Sequence, residues 1–301
     1  MKIRIKFKKY GPLRFIGHLD VMRFFQKAIR RAGIEVTYTT GFSPHQVMSF
    51  AAPLGVGLSS NGEYMDIQVN SLPAPRDGMT SCQVLVEQLN HASVKGLDVI
   101  YARILPEDAG NAMASVAAAS YTVRFQEGRE PAFLKHDMLD YLSESENTGR
   151  FSAGAKELMS SGRTGVGADD SLNTVLDAFL EKENILITKD TKRGTREVNL
   201  RPGIYELTWE GQAFHMLVDA SSAGNIKPAQ VIEALLQDNG EVLQENALLI
   251  TREDVFTLDI EREDGTNKFL SLGQIGSEKF GNEQIGNPDA ESNIFEKEMT
   301  S

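Results

Sequence analysis

The chain has 301 residues, 41% of them hydrophobic, and its 31 Lys and Arg against 42 Asp and Glu give a formal net charge of −11. That length accommodates two ordinary domains with real cores. No apolar run approaches the roughly 18 residues of a membrane helix, no signal-peptide block opens the chain, and the one cysteine, Cys82, excludes an internal disulfide and a Cys-based zinc or iron–sulfur site, so a cytoplasmic protein is expected.

The charge is unevenly placed. Residues 1–31 carry ten Lys and Arg against one acid, Asp20, a local balance of +9 that leaves −20 on the other 270 residues. Such a basic end on an acidic chain can attract a polyanion. Lys2 to Lys8 alternate strictly, with Ile3, Ile5 and Phe7 on one face and Lys2, Arg4, Lys6 and Lys8 on the other, the period of a half-buried strand. A loop with Pro12 and Arg14 follows. A helix is then predicted from His18 or Leu19 to Ala32, stopped by Gly33. Val21, Met22, Phe25, Ala28, Ile29 and Ala32 form its apolar arc, and Arg23, Lys27, Arg30 and Arg31 its basic back.

Strands are predicted over 35–40, 46–51, 63–69 and 97–105, with a helix over 81–90 that places Cys82, Leu85, Val86 and Leu89 on one face. The resulting order β-α-β-β-α-β predicts a ferredoxin-like (split βαβ) unit over residues 1–112. Its open sheet face would present Lys2, Arg4, Lys6 and Lys8 as a basic row to nucleic acid, although no base-stacking aromatics lie on that strand face.

A second ferredoxin-like unit is predicted over 118–258, from a strand at 120–125, helices at 131–142 and 171–181, a strand at 184–188, a hairpin turning at Glu210-Gly211, a helix beginning at Pro228 and a strand at 255–260. Residues 144–170, rich in Ser, Gly and charge, read as a mobile insertion. The fold class expected is thus α+β, two such units in tandem. From Asp259 onward ten acids outnumber four bases without periodicity, and 259–301 reads as an acidic, disordered tail. Lys192, Arg193, Arg196 and Arg201 form a basic patch in the acidic half, either a phosphate clamp or an ordinary charged hairpin.

Signals for chemistry are sparse. The five histidines lack HxH, HExxH or HxxxH spacing, so no metal site is expected. His18 and His45 both lie beside Gly- or Pro-containing turns and are the candidates for acid–base work, with packing or helix capping the competing reading for His18. Cys82 reads as core. Gly55, Gly57 and Gly62 lack the Gly-Lys-Ser/Thr ending of a phosphate loop and read as turn glycines, so no cofactor is assigned to this chain.

Residues 9–23 (Lys-Tyr-Gly-Pro-Leu-Arg-Phe-Ile-Gly-His-Leu-Asp-Val-Met-Arg), Gly41-Phe-Ser-Pro-His45, Ser49-Phe-Ala-Ala-Pro-Leu-Gly55, Gly62-Glu-Tyr-Met-Asp66 and residues 192–202 resemble, in the same order, the bacterial radical SAM-associated domain of unknown function family. The resemblance implies a protein encoded beside, or fused to, a radical SAM protein that often binds cobalamin. This chain lacks the CxxxCxxC cluster motif. It therefore looks like the accessory partner, with the iron–sulfur cluster, SAM and any cobalamin in the other protein. The functions expected are RNA binding or presentation through the basic surfaces Lys2, Arg4, Lys6, Lys8, Arg14, Arg23, Lys27, Arg30, Lys192, Arg193, Arg196 and Arg201; alternatively a metal-independent endoribonuclease using His18 or His45; or protein-only docking to the radical SAM subunit.

Overall fold

A computed structural model of the chain describes residues 1–135, 168–191, 194–259 and 268–278. In the first half, β1 (Lys2–Lys9) is followed by a 3-10 turn (Gly11–Phe15), α1 (His18–Arg31), β2 (Met48–Phe50), β3 (Ser59–Gln68), α2 (Ser81–His91) and β4 (Val99–Ile104). The alternation of β1 is realised: Ile3, Ile5 and Phe7 are fully buried against Val21, Phe25 and Ile29 of α1 and Cys82, Leu85 and Leu89 of α2. Each such side chain withdrawn from water is worth about 1.5–3 kcal/mol, which is what holds two short helices on the sheet. α1 ends where Gly33 enters the left-handed region at φ +69°, and α2 starts with Thr80 and Gln83 capping each other's backbone N–H groups.

The expected strand over 35–40 is reduced to isolated bridges, Val36 to Val69 and Tyr38 to Gln46. Gly41, Phe42, Ser43 and Pro44 between them break the alternation, so this stretch projects as a loop instead of continuing the sheet.

In the second half come α3 (Ala112–Ser115), β5 (Ala118–Phe125), α4 (Ala132–Lys135), α5 (Ala168–Leu180), a separate hairpin of β6 (Leu186–Thr191) and β7 (Gly194–Asn199), β8 (Ile204–Glu210), β9 (Ala213–Asp219), α6 (Pro228–Asp238), β10 (Leu248–Asp259) and β11 (Lys268–Ser271). The mobile insertion expected at 144–170 falls, up to residue 167, outside the described residues. A core of Tyr121, Val123, Phe214, Met216 and Val218 from the strands meets Leu172 and Leu176 of α5 and Val231, Ile232 and Leu235 of α6.

The two halves expected as tandem units share one sheet of nine strands, ordered β4-β1-β3-β10-β5-β9-β8, with β2 on β3 and β11 on β10. Nearly all of its pairings are antiparallel, and the fold is mixed α+β with few helices. The seam is a short parallel pairing in which Thr251 and Arg252 of β10 face Ser59 and Ser60 of β3. Gly62 makes that seam possible: a Cβ there would collide with the backbone of Glu253 and Asp254. Its role is close approach between strands, not the turn geometry that its sequence context indicates.

The tail reading needs correction in part. Residues 268–271 pair with β10, Leu272 is fully buried, and Ser277 exchanges backbone hydrogen bonds with Ile104 of β4. Low apolar content over 259–301 hides one short Phe-Leu-Ser-Leu run that suffices to pair and bury. Residues 260–267 and 279–301 lie outside the described residues.

Candidate nucleic-acid interface

The basic row of β1 is not an open platform. Arg4 is 1% exposed, forms a two-pronged ion pair with Asp66 at 2.8 and 3.0 Å, and donates to the carbonyl of Leu272 at 3.3 Å. Lys6 pairs with Asp254 at 3.4 Å and lies over the rings of Tyr64 and Tyr101. Asp254 also receives the hydroxyls of Tyr64 at 2.6 Å and Ser271 at 2.7 Å. Lys2 donates to the Ala109 carbonyl, and Lys8 is half-buried. β11 and the turn after it roof this face, and a charge removed from water needs such partners to remain there. The alternation of β1 predicts which residues share a face, but Leu272, which closes over Arg4 from just past β11, is 268 positions further along the chain.

The other candidates separate cleanly. Lys192 and Arg193 lie outside the described residues. Arg196 is exposed on β7. Arg201 is half-buried, bonded to the carbonyls of Leu180 and Ile204, and serves to join α5 to β8. Arg23, Lys27, Arg30 and Arg31 are all exposed on the outer side of α1, as its apolar arc requires.

Beside them stand aromatic side chains that periodicity does not single out. Phe15 is 60% exposed, Tyr38 47% and Phe42 fully exposed, and the Arg14 guanidinium stacks 4.7 Å from the centroid of Phe15. One carbonyl ties these pieces together: Gln26 O on α1 accepts both Arg30 Nε at 3.3 Å and Gln46 Nε2 at 3.2 Å. The loop carrying Tyr38 and Phe42 is thereby fixed beside the arginines. At the other end, Gly57 N donates to the Arg14 carbonyl at 2.8 Å, bringing exposed Val56 alongside. Among the described residues the one ion pair on the α1 face, Arg23 to Asp20 at 3.5 Å, is solvent-exposed and worth little. The surface can therefore stack planar groups and neutralise phosphates. Its readable signal is Gly41-Phe42-Ser43-Pro44, an aromatic residue in a turn where no core position exists to receive it.

The two histidines have separate partners. His18, the first residue of α1, packs edge-on against Phe50 at 4.9 Å. Burial lowers its pKa below the ordinary value, with Glu63 opposing and Lys9 assisting. His45 is exposed and held by Thr39, with Nδ1 at 3.1 Å from Oγ1. Behind His18, Lys9 is 2% exposed, its ammonium on the carbonyls of Arg14 and Ile16. Desolvation lowers its pKa against the pull of Glu63. Cys82 is buried and its thiol pushed up to about 11, chiefly by burial, which leaves it protonated and unreactive at neutral pH. Among the described residues no three His, Cys, Asp or Glu side chains converge as a metal site would require, and no helix is long and apolar enough to cross a membrane.

The architecture is thus a mixed α+β protein whose long sheet joins two halves and whose first helix displays a cationic, aromatic-flanked face. By sequence the chain belongs to the family of uncharacterized proteins conserved in bacteria designated DUF2344, whose model matches residues 2–228. That span holds the whole α1 surface and ends at the first residue of α6, before β10. No curated protein matches the chain.

Proposed function

We propose that this protein is an RNA-binding accessory subunit of a radical SAM enzyme and that it holds single-stranded RNA on the outer face of α1 and the loops on either side. The observation that carries the reading is the exposure of Arg23, Lys27, Arg30 and Arg31 on α1 together with Phe15, Tyr38 and Phe42 on the segments that precede and follow it, in a chain whose net charge is −11. Cations track phosphates, and exposed rings stack bases that a duplex would keep paired. The radical SAM partner rests on the motif resemblance of residues 9–66 and 192–202. The iron–sulfur cluster, SAM and any cobalamin would reside in that partner.

The test is anisotropy of a fluorescein-labelled single-stranded RNA against a blunt duplex of the same length, at about 50 mM salt, where phosphate contacts are least screened. Single strands are expected to bind at least about tenfold tighter, and Phe42→Ala to weaken them by about 1–3 kcal/mol, the range for one stacked base. Equal affinity for the duplex, or no binding at low salt, would overturn the reading.

A further inference from the structure

A cavity of about 530 Å³ opens at the seam, between the segment Ala51–Leu58 on one side and Ala220–Ala229 on the other. This is within the range of small-molecule sites, about 300–1,000 Å³. The two halves of the sheet bring it into being: β3 and β10 pair there, while α1 and α2 cover one half of the sheet and α5 and α6 the other. Its floor is the sheet itself. Arg252 and Tyr121 face each other across β10 and β5, and Ile250 lines the cavity beside them.

The lining is chemically lopsided. Most of it is apolar, with Leu54, Val56, Met113 and Ile226 among the walls. Among the described residues its two charged ones are Arg252 and Lys227, and no Asp or Glu lines it, in a chain with eleven more acids than bases. Glu63 balances Arg252 from outside the cavity lining. Arg252 also donates to the Ala52 carbonyl; burial keeps the Tyr121 hydroxyl beside it protonated, against the lowering influence of the guanidinium. At the rim, Lys227 is exposed and precedes α6 at its N-cap position, and the first residue of α6, Pro228, also lines the cavity. The positive end of that helix and the ammonium act in the same direction. The site is preformed: Asp219 ties its loop through Ser221 N at 2.7 Å and Ile226 N at 2.8 Å, so little ordering is left for a ligand to supply.

We infer that this cavity binds a small amphipathic anion, a molecule with an apolar body in the pocket and one anionic group at the Lys227 end. The site meets the α1 surface at Val56, and binding in it does not depend on RNA binding.

The probe is 8-anilinonaphthalene-1-sulfonate, compared with N-phenyl-1-naphthylamine, which has the same apolar body without the sulfonate. With the full chain, fluorescence titration should show one sulfonate probe per chain, bound at least about tenfold tighter than the neutral one, a gain of about 1.4 kcal/mol or more. Lys227→Glu, at an exposed position, should remove that advantage and leave the neutral probe unchanged. Ala229→Trp, which fills the cavity from the first turn of α6, should abolish both, and an Arg23→Glu/Lys27→Glu/Arg30→Glu variant should bind both as the wild type does. Equal affinity for the two probes, several probes per chain, or undiminished binding in a folded Ala229→Trp variant would overturn the inference.

Discussion

At the scale of single residues, the seam is governed by charges that water does not reach. Arg252 and Glu63 are both nearly inaccessible and paired, Nε to Oε1 at 2.9 Å. Burial works against the guanidinium's charge more than any single neighbour favours it, but Glu63 and Tyr121 together hold the pKa above the ordinary value. Glu63→Gln would leave a buried cation uncompensated and should destabilise the protein by about 3–5 kcal/mol, read by urea denaturation. His18 supplies a pH dependence. Its folded pKa lies below the ordinary histidine value, so the unfolded chain takes up the proton first. Stability is therefore full above about pH 6.5 and falls as the pH drops through that value, levelling off below the folded pKa. Tm should decline as the pH falls through about 6.5, and His18→Gln should show a smaller decline over the same range. None of these pairings is visible from spacing. Glu63 and Arg252 are 189 positions apart, and period two places only Glu63 on a strand, since the strand read at 255–260 leaves Arg252 outside it.

At the scale of elements, legibility depended on whether an element's neighbours are local. α1 is fully readable: its apolar arc and basic back follow from 3.6-residue periodicity alone, and Val21, Phe25, Ala28 and Ile29 are its buried residues. β1 is half readable. Its apolar face packs as the alternation requires, but Arg4 and Lys6 on the other face are claimed by Asp66 and Asp254, with Leu272 and Ser271 above them. β11 escaped notice because four residues in a polar, acidic context carry too few apolar positions to show a period. Its contribution is testable by truncation. A chain ending at residue 278 should keep the Tm of the full chain. One ending at residue 259 loses the Leu272 carbonyl that receives Arg4 and the Ser271 hydroxyl on Asp254, and should melt several degrees lower, since about 1 kcal/mol moves Tm by about 2–4 °C in a chain of this size.

For the whole molecule, the distribution of charge matters more than its sum. The +9 of the first 31 residues is divided between two uses. Arg4, Lys6 and Lys9 are spent inside the fold on ion pairs, rings and carbonyls. Arg23, Lys27, Arg30 and Arg31 stay on the surface beside Phe15, Tyr38 and Phe42. A reversal of the β1 set is therefore a poor probe of RNA binding, because breaking Arg4–Asp66 would unsettle the sheet itself. The α1 set is the direct one. The deciding measurement is the salt dependence of single-stranded RNA affinity, wild type against Arg23→Glu/Lys27→Glu/Arg30→Glu, from about 50 to 200 mM salt, where the slope of log affinity against log salt is about −0.7 per phosphate neutralised on a single strand. The wild type should show a steep slope, and the variant a slope shallower by about 2 together with weaker binding at low salt. An unchanged slope and affinity in a variant with the wild-type Tm would contradict RNA binding on this face.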